Sequence, residues 1–251
     1  MLELKKNKYK IIIIIIDFYF LHFIKIKCFN IKQIKDGKDY KNTTIAVCTM
    51  GKLENLYVNE FIDYYLKLGV NHIFIYDNND PNKEKIEDVV KDSYKKKVSI
   101  YKTDDYNISH QSLAFTHCYQ NFKYRFNWFI MVDFDEYVYI VNDTLKNYLN
   151  SEIFNKCDFI KLHWLVPTDN KLLYYDSRPL LERFKGPYKK EKFIKSIIRG
   201  NISNLTYWVH SPKYSPQKNI TCNNEGTKIV YIYFIIRKNF FFIWHRKQYL
   251  H

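Results

Sequence analysis

Short apolar runs alternate with stretches of helical periodicity along the first half of the chain after residue 40. Four runs have the length and the β-branched and aromatic content of buried strands, and they are Thr44–Thr49, Asn71–Tyr76, Lys97–Tyr101 and Trp128–Val132. The segments between them predict helices over Leu53–Leu68, Lys83–Ser93 and His110–Tyr124. Strands that alternate with helices in this way predict an α/β fold, with a mostly parallel central sheet flanked by helices.

The first predicted helix has a clear apolar face and a clear end. The residues that recur at helical spacing on this face are Leu53, Tyr57, Phe61, Tyr64 and Leu68. Gly69 follows directly, where the end of a helix often needs a backbone with positive φ. We therefore expect the helix to end at Leu68.

The pattern is weaker after about Asp158. Further strands are predicted over Phe159–Trp164, Glu191–Ile198 and Leu205–His210, and the basic loop 185-KGPYKKEK-192 precedes the second of them. The sequence shows no internal repeat. We predict one domain over residues 41–228, preceded by a segment of residues 1–40 and followed by an aromatic tail of residues 229–251 that is diverged or truncated.

The first 40 residues combine basic and apolar positions in an order typical of a signal-anchor. Four lysines precede 11-IIIIIIDFYFLHFI-24, a run shorter than the roughly 20 apolar residues that span a bilayer. Asp17 and His22 interrupt this run, and no small-residue cleavage site follows it. Two interpretations stay open: a short anchor that attaches the chain to a membrane and leaves the domain in the lumen, or an apolar extension that packs on the domain.

The composition is that of a folded protein with a strong positive charge. Hydrophobic residues make up 47% of the chain and aromatic residues 18%, which excludes a disordered chain. The formal net charge of +14 favours anionic partners, such as phosphate-bearing ligands, anionic membranes or nucleic acids. The basic residues are dispersed and no predicted element carries a basic stripe, so we do not expect nucleic-acid binding.

The cysteines and the glycosylation sequons bear on the compartment without deciding it. The five cysteines lie far apart in sequence and form no zinc or redox motif, and Cys48 and Cys157 are predicted to be buried free thiols. Composition alone would give roughly two N-x-S/T sequons, which carry glycans only in a secreted chain. The six that occur are at Asn42, Asn107, Asn142, Asn201, Asn204 and Asn219.

Carboxylates cluster at the end of the fourth predicted strand, in 128-WFIMVDFDEYVYI-140. Asp133, Asp135 and Glu136 directly follow the apolar run. Because residues i and i+2 of an extended segment face the same side, Asp133 and Asp135 are expected to face one ion, while Phe134 enters the core. Two carboxylates at the carboxyl end of a parallel strand, where such sheets bind ligands, suit Mg²⁺ or Mn²⁺.

Two further polar residues end predicted strands. Asp77 follows the second strand, where its carboxylate would accept hydrogen bonds from a nucleotide base or ribose, or would shape the turn 77-DNND-80. His210 ends the strand Leu205–His210. Its ring would approach a metal or a diphosphate from the opposite side, or would have a structural role.

Several separate blocks resemble, in the same order, glycosyltransferase family 92 and related family 2-like enzymes. They lie between about Ile45 and Gly226, and they are 45-IAVCTMGKLENLYVNEFIDYYLKLGVNHIFIYDNND-80, 128-WFIMVDFDEYV-138, 161-KLHWLVPTDN-170, 182-ERF-184, 195-KSIIRG-200 and 209-VH-210. The resemblance implies a GT-A-like fold. It also implies transfer of a sugar from a nucleotide-diphosphate donor, with a UDP-sugar expected, to a glycan or other hydroxyl acceptor with inversion at the anomeric carbon.

The resemblance also implies roles for individual residues. Asp133 and Asp135 match the family's D-x-D metal motif, for which Mn²⁺ is the usual ion and Mg²⁺ the alternative. Asp77 falls where GT-A enzymes contact the nucleoside of the donor. His210 falls on a late histidine that completes the metal and diphosphate site.

An inverting transfer needs a general base on the acceptor side, opposite the leaving diphosphate. Asp169 in 167-PTDN-170 is our first choice, and Asp176 and Glu182 are the other carboxylates to consider. The basic residues expected to hold the diphosphate electrostatically are Arg183, Lys195 and Arg199. For each of these three residues an ordinary surface ion is the competing interpretation, and for Arg199 it is the preferred one.

The C-terminus departs from the family's pattern. Family members carry a His-Tyr pair and a basic segment near their end, whereas this chain reads Tyr231-Ile232-Tyr233 at about that position. The other blocks make a metal-dependent glycosyltransferase the leading hypothesis, and the departure at the C-terminus favours one alternative to it. The alternative is a non-catalytic GT-A-like protein that binds a glycan or a partner.

Overall fold

One large sheet forms the centre of the fold. A computed structural model describes residues 43–103, 110–140, 143–167, 178–184, 188–214, 221–223 and 230–234. The strands in this part of the chain are β1 Ile45–Gly51, β2 His72–Asp77, β3 Val98–Lys102, β4 Trp128–Met131, β5 Glu136–Ile140, β6 Phe159–Pro167, β7 Tyr188–Arg199, β8 Thr206–Tyr207, β9 Pro212–Tyr214, β10 Thr221–Asn223 and β11 Val230–Phe234.

Helices lie between these strands. The α-helices of the described ranges are α1 Val58–Lys67, α2 Ile86–Val89, α3 His110–Phe122, α4 Leu145–Leu149 and α5 Leu180–Arg183. Two short 3₁₀ helices add Asp92–Tyr94 and Glu152–Phe154. The order of strands and helices confirms the predicted α/β class.

The large sheet has the order β3-β2-β1-β4-β7-β6-β11-β5, and β10 pairs with β6 beside this path. The strands β3, β2, β1 and β4 pair in parallel. Antiparallel pairs join β7 to both β4 and β6, whereas β11 runs parallel to β6 and antiparallel to β5. A mostly parallel sheet flanked by helices is compatible with the GT-A-like fold that we expected.

Three of the four parallel strands are buried because they are almost entirely apolar, whereas the edge strand β3 is only partly buried. Every residue of β4 is buried, as are nearly all residues of β1 and β2. Helix α1 covers part of the sheet with a buried face of Val58, Phe61, Ile62 and Tyr65. The helix has its C-cap at Leu68, and Gly69 follows with φ +99°, which confirms the predicted end.

Some predicted elements are shorter in the structure. The helix expected over Lys83–Ser93 is a single turn, α2, followed by the 3₁₀ helix Asp92–Tyr94, because Ile86 is the one buried residue of that turn and little apolar surface supports a longer helix. The strand expected over Leu205–His210 is reduced to β8. Strands β5, β9 and β10 and helix α4 were not predicted.

The C-terminal strand belongs to the sheet. Residues 230–234, which the sequence assigned to the tail, form β11 between β6 and β5. The remaining residues of the tail and the segment 1–40 lie outside the described residues, so the proposed anchor stays a prediction. Across the described ranges, no helix combines the length and the apolar content needed to cross a bilayer.

Four cysteines form two disulfides, so the prediction of free thiols at Cys48 and Cys157 was wrong. Cys48 of β1 is joined to Cys118 of α3, with their Cα atoms 6.4 Å apart. Cys157 is joined to Cys222 of β10, with their Cα atoms 5.8 Å apart. The partners are 70 and 65 residues apart in sequence, and only the packing of α3 on β1 and the pairing of β10 with β6 bring them together.

Candidate functional site

The chain leaves β4 through a tight turn that carries three carboxylates. The carbonyl oxygen of Asp133 accepts a hydrogen bond from the backbone N–H of Glu136 at 3.1 Å. The Glu136 side chain in turn accepts one from the backbone N–H of Asp133 at 2.9 Å. We expected an extended segment here, but β5 lies at the far edge of the sheet rather than beside β4, so the chain must change direction.

Phe134 anchors this turn in the core, as predicted. Its side chain is buried, and its ring centroid lies 4.8 Å from that of Phe61 in α1. A Cβ atom added to Gly51, the last residue of β1, would lie only 2.6 Å from the Phe134 ring. The sequence therefore needs glycine at this position to let the turn approach the end of β1.

Lys195 lies inside the carboxylate turn. Its side chain is fully buried, with its Nζ 3.0 Å from Oδ2 of Asp133 and 3.4 Å from Oε2 of Glu136. The Nζ also donates a hydrogen bond to the carbonyl oxygen of Val209 at 3.1 Å. Burial lowers the pKa of Lys195, but Glu136 and then Asp133 raise it by more, so the net shift is upward and the side chain is a charged ammonium.

The three carboxylates of the turn are not equally compensated. Asp133 accepts hydrogen bonds from Lys195 and from the side-chain amide of Gln111 in α3. Burial raises the pKa of Glu136, and Lys195 opposes this rise. Burial and repulsion from Asp133 raise the pKa of Asp135 to about 7, and among the described residues no lysine or arginine forms a salt bridge with Asp135.

The structure brings His210 close to this turn. Its ring centroid lies 5.5 Å from that of Trp164 and 5.9 Å from that of Phe193. Burial and Lys195 lower the pKa of His210, and Asp133 opposes this effect, so the imidazole is neutral at neutral pH and keeps one nitrogen able to bind a metal. Within the described ranges, however, no three His, Cys, Asp or Glu side chains are grouped so as to hold a metal ion.

Asp77 lies at the same edge of the sheet, because β2 runs parallel to β1 and β4. Its carboxylate accepts hydrogen bonds from the backbone N–H groups of Asn79 at 2.9 Å and Ile86 at 2.8 Å, and its side chain is buried. These contacts hold the loop between β2 and α2. Asp77 therefore shapes this loop, one of the two roles that its sequence position predicted.

Arg199 lies at the opposite end of β7 from the carboxylate turn. It pairs in register with Trp128, the first residue of β4, and its guanidinium lies 4.1 Å from the centroid of the Trp128 ring. It also donates hydrogen bonds to the carbonyl oxygens of Cys157 and Phe154. The structure therefore does not bring Arg199 together with Asp133, and these contacts give it a structural role.

Helix α5 carries Glu182 and lies against α1. Glu182 is exposed, and Leu180, two residues earlier, donates its backbone N–H to the side chain of Glu60 in α1. Burial raises the pKa of Glu60, whereas Leu180 and then Arg183 lower it and Glu182 adds to the rise. Asp169 and Asp176 lie outside the described residues, and their roles stay predictions.

Three residues of this region were not assigned a role from the sequence. Glu136 pairs with Lys195, Gln111 binds Asp133, and Glu60 lies beside α5 with a pKa raised chiefly by burial. The position of Glu136 directly after the D-x-D motif was a usable signal for its role. No sequence signal identified Gln111 or Glu60, because both reach the site only through helix packing.

Comparison with known proteins agrees with the resemblance seen in the sequence. The sequence model of glycosyltransferase family 92 matches residues 41–237. The chain is similar to family 92 glycosyltransferases of Ricinus communis (26% identity over 167 residues), Arabidopsis thaliana (29% over 116) and Oryza sativa subsp. japonica (30% over 115).

The coverage of these matches is uneven. The aligned parts cover 61%, 43% and 43% of this chain, but only 30%, 18% and 19% of the three plant proteins. A solved 4-diphosphocytidyl-2C-methyl-D-erythritol synthase from Anaerococcus prevotii shares 9% identity at a TM-score of 0.35, over 63% of this chain and 70% of its own, which is too little to carry an argument. The family match spans most of the chain, and the chain belongs to glycosyltransferase family 92.

Proposed function

We propose that this protein transfers a sugar from a nucleoside-diphosphate donor, with a UDP-sugar as the first candidate, to a hydroxyl group of a glycan, with inversion at the anomeric carbon. We further propose that Asp133 and Asp135 hold a divalent cation, Mn²⁺ or Mg²⁺, at the donor diphosphate. Family membership supports the glycosyl transfer. The geometry of the turn after β4 supports the position of the donor site.

The observation that carries the proposal is the charge imbalance at this turn. The turn carries three carboxylates, and its one buried lysine, Lys195, forms salt bridges with Asp133 and Glu136 but not with Asp135. When all three are ionised, two negative charges are uncompensated at the carboxyl end of β4, which is the edge where sheets of this type bind ligands. A divalent cation would supply the missing charge.

The residues present fit such an ion, with some ligands coming from elsewhere. Of the three carboxylates in the turn, Asp135 is the one that forms no salt bridge with the described residues, and Asp133 lies two residues before it. Because no group of three protein ligands is formed there, the other positions around the ion would be filled by water and diphosphate oxygens, as is usual for Mg²⁺ sites at phosphates. When bound, the ion would stabilise negative charge on the leaving nucleoside diphosphate.

The buried neighbours of the turn have a positioning role in this proposal. Glu136 accepts from the backbone N–H of Asp133 and pairs with Lys195, which fixes the backbone of the turn. Lys195 was expected to contact the diphosphate, but its ammonium is buried and already bonded to Asp133 and to the Val209 carbonyl. Lys195 therefore orients Asp133, and it lowers the electrostatic cost of placing carboxylates side by side.

The acceptor hydroxyl must lose a proton as its oxygen bonds to the anomeric carbon and the bond from that carbon to the diphosphate oxygen breaks. A carboxylate on the acceptor side takes this proton. Asp169 stays our first choice from the sequence. Glu182 of α5 is exposed, and it is the alternative candidate that lies within the described residues.

Exposed aromatic rings beside the turn support a glycan as the acceptor. Phe193 lies two residues before Lys195 on β7 and is 45% exposed, and its ring contacts Trp164 and His210 at centroid distances of 5.2 and 5.9 Å. Trp208 is 53% exposed. Large exposed rings commonly mark a binding surface, and the apolar face of a sugar ring would pack on them.

The test is release of nucleoside diphosphate from a panel of nucleotide sugars, with Mn²⁺ and with a metal chelator, in the presence and absence of oligosaccharide acceptors. We expect Mn²⁺-dependent release from at least one donor. Asp135→Asn should reduce the rate at least 100-fold, because it removes the uncompensated carboxylate. Asp63→Asn is the matched control, since this surface carboxylate pairs with Lys67 within α1 and should leave the rate unchanged.

Two results would contradict the proposal in different ways. Full activity of Asp135→Asn would place the donor elsewhere in the protein. Tight donor binding without release from any sugar nucleotide would favour the alternative of a non-catalytic glycan- or partner-binding protein.

A further inference from the structure

Two disulfides connect separate layers of the fold. Cys48 of β1 and Cys118 of α3 are both buried and join the central strand to the helix that packs on it. Cys157 is also buried and is joined to Cys222 of β10, at the start of the β6–β10 pairing. Both Cα separations lie within the range of unstrained disulfides, and such bonds persist in oxidising compartments and are rare in the cytosol.

An exposed turn carries two consecutive glycosylation sequences. The segment 201-NISNLT-206 connects β7 to β8 and contains Asn201-Ile202-Ser203 and Asn204-Leu205-Thr206. Both asparagines are exposed, whereas Ile202 and Leu205 are buried. The turn therefore presents each acceptor amide to solvent while its apolar residues hold it against the domain.

Helix α3 fixes this presentation. The hydroxyl of Tyr119 accepts the backbone N–H of Ile202 at 2.9 Å, and Gln120 donates to the carbonyl oxygen of Leu205. Asn204 has φ +52°, a left-handed backbone that asparagine tolerates better than most residues. Asn204 is therefore suited to the turn by its backbone as well as by its side chain.

We propose that the domain matures in an oxidising, glycosylating compartment, and that Asn201 or Asn204 carries an N-linked glycan there. The disulfides point to an oxidising compartment. The exposed sequons are an independent observation that fits the same compartment, because sequons carry glycans only in a secreted chain. This inference concerns maturation and does not depend on the proposed transferase activity.

Such a compartment supplies the co-reactant of each modification, which is an oxidoreductase disulfide for the cysteines and a lipid-linked oligosaccharide for the asparagine. Each disulfide forms as two thiols lose two electrons and two protons to the disulfide of an oxidoreductase, which becomes a dithiol. The glycan is added when the asparagine amide nitrogen bonds to C1 of a lipid-diphosphate-linked oligosaccharide. The bond from C1 to the diphosphate oxygen breaks, the amide loses one proton, and the lipid diphosphate leaves.

A glycan at this turn would not obstruct the donor site. Gly200, next to the turn, donates its backbone N–H to the carbonyl oxygen of Asn127, which directly precedes β4. Asp133 follows the other end of β4. At about 3.3 Å per residue, the six residues from 127 to 133 separate the turn from the carboxylates by roughly 20 Å.

The test is peptide mapping of the full chain made in eukaryotic cells with its own N-terminus, and in parallel behind a cleavable secretory signal. Trypsin cleaves after Arg199 and Lys213 and so releases both sequons in one peptide, residues 200–213. Enzymatic removal of N-glycans in heavy-oxygen water marks any asparagine that carried a glycan. We expect one marked asparagine in this peptide, and peptides linked through Cys48–Cys118 and Cys157–Cys222 before reduction.

The matched control removes the sequons without changing either asparagine. Ser203→Ala with Thr206→Ala keeps the left-handed backbone of Asn204, so the protein should be secreted, with the same two disulfides and an unmarked peptide. An unmarked peptide in the secreted unsubstituted chain would overturn the glycan site. Other cysteine pairings or free thiols would overturn the disulfides. Modification only behind the added signal would overturn the assignment of the compartment and leave the site in place.

Discussion

Replacement of Lys195 by methionine tests the electrostatic core of the candidate site. The substitution removes the ammonium that lies 3.0 Å from Asp133 and 3.4 Å from Glu136, and it keeps a flexible apolar chain in the same buried space. Glu136 is then left fully buried without a cation. We expect the free energy of unfolding to fall, because a buried carboxylate without a partner is costly.

The size of this effect can be estimated from the geometry. At an effective dielectric constant near 20, a charge pair 3.4 Å apart attracts by about 5 kcal/mol. Part of this lost attraction is offset, because the variant no longer has to desolvate a buried ammonium. Breaking one side of a buried ion pair typically costs about 3–5 kcal/mol, and we expect Lys195→Met to fall in that range, a large share of the roughly 5–15 kcal/mol that stabilises most domains.

Urea unfolding of the full chain, in a double-mutant cycle with Glu136→Gln, measures this prediction. The double variant should be less destabilised than the sum of the single variants, because the neutral amide that replaces the Glu136 carboxylate does not need a cation. The coupling should exceed about 1 kcal/mol. Lys67→Met is the matched control, since Lys67 is exposed and its pairing with Asp63 is solvated, and its unfolding midpoint should not change. A cost below about 1 kcal/mol for Lys195→Met would refute the reasoning.

Three further predictions concern the packing of two glycines, the role of Arg199 and the pH dependence of stability. Gly51→Ala should cost about 1–3 kcal/mol in urea unfolding, because its new Cβ would lie 2.6 Å from the Phe134 ring. Gly200→Ala should destabilise the fold more, because its new Cβ would meet a backbone carbonyl oxygen, which cannot move aside as a side chain can. Equal losses of stability for the two variants would contradict this. Arg199→Met should lower stability and leave donor affinity unchanged, since its contacts lie at the far end of β7; a loss of donor affinity in calorimetry would show that it reaches the donor. Burial lowers the pKa of His72 from 6.5 to about 4. The contribution of the neutral ring to stability is therefore complete above about pH 6.5 and is lost as the pH falls towards 4, by about 2 kcal/mol at pH 5. In unfolding curves measured at pH 7.5 and 5, His72→Gln should reduce this loss of stability, and an unchanged loss would exclude His72 as its source.

The apolar pattern was sufficient to predict the parallel half of the sheet. β1, β2 and β4 are short, apolar and separated by helical periodicity, so their burial on both faces shows directly in the sequence. The edge strand β3 was predicted as well, although it is only partly buried. The position of the carboxylates followed from β4, because ligand sites of such sheets lie at the carboxyl ends of the strands. Phe134 was correctly placed in the core, although the segment that we predicted to be extended is a turn.

The rest of the site depends on contacts between residues far apart in sequence. Lys195 reaches Asp133 from 62 residues away, since β7 pairs antiparallel with β4. The family resemblance of 195-KSIIRG-200 singled out Lys195, but its burial could not be predicted in a chain with 40 lysines and arginines. The disulfides were missed for the same reason, because no short motif marks cysteines that the fold brings together.

The central claim is that a nucleoside diphosphate and a divalent cation bind together at the turn after β4. Calorimetric titration of the full chain with UDP, with and without Mn²⁺, tests it most directly, together with Asp135→Asn and the surface control Asp63→Asn. The account predicts binding that needs Mn²⁺, is lost in Asp135→Asn and is unchanged in Asp63→Asn. Other nucleoside diphosphates titrated under the same conditions would show whether the donor has another base. Binding that survives Asp135→Asn, or no binding of any nucleoside diphosphate to folded protein, would contradict the account.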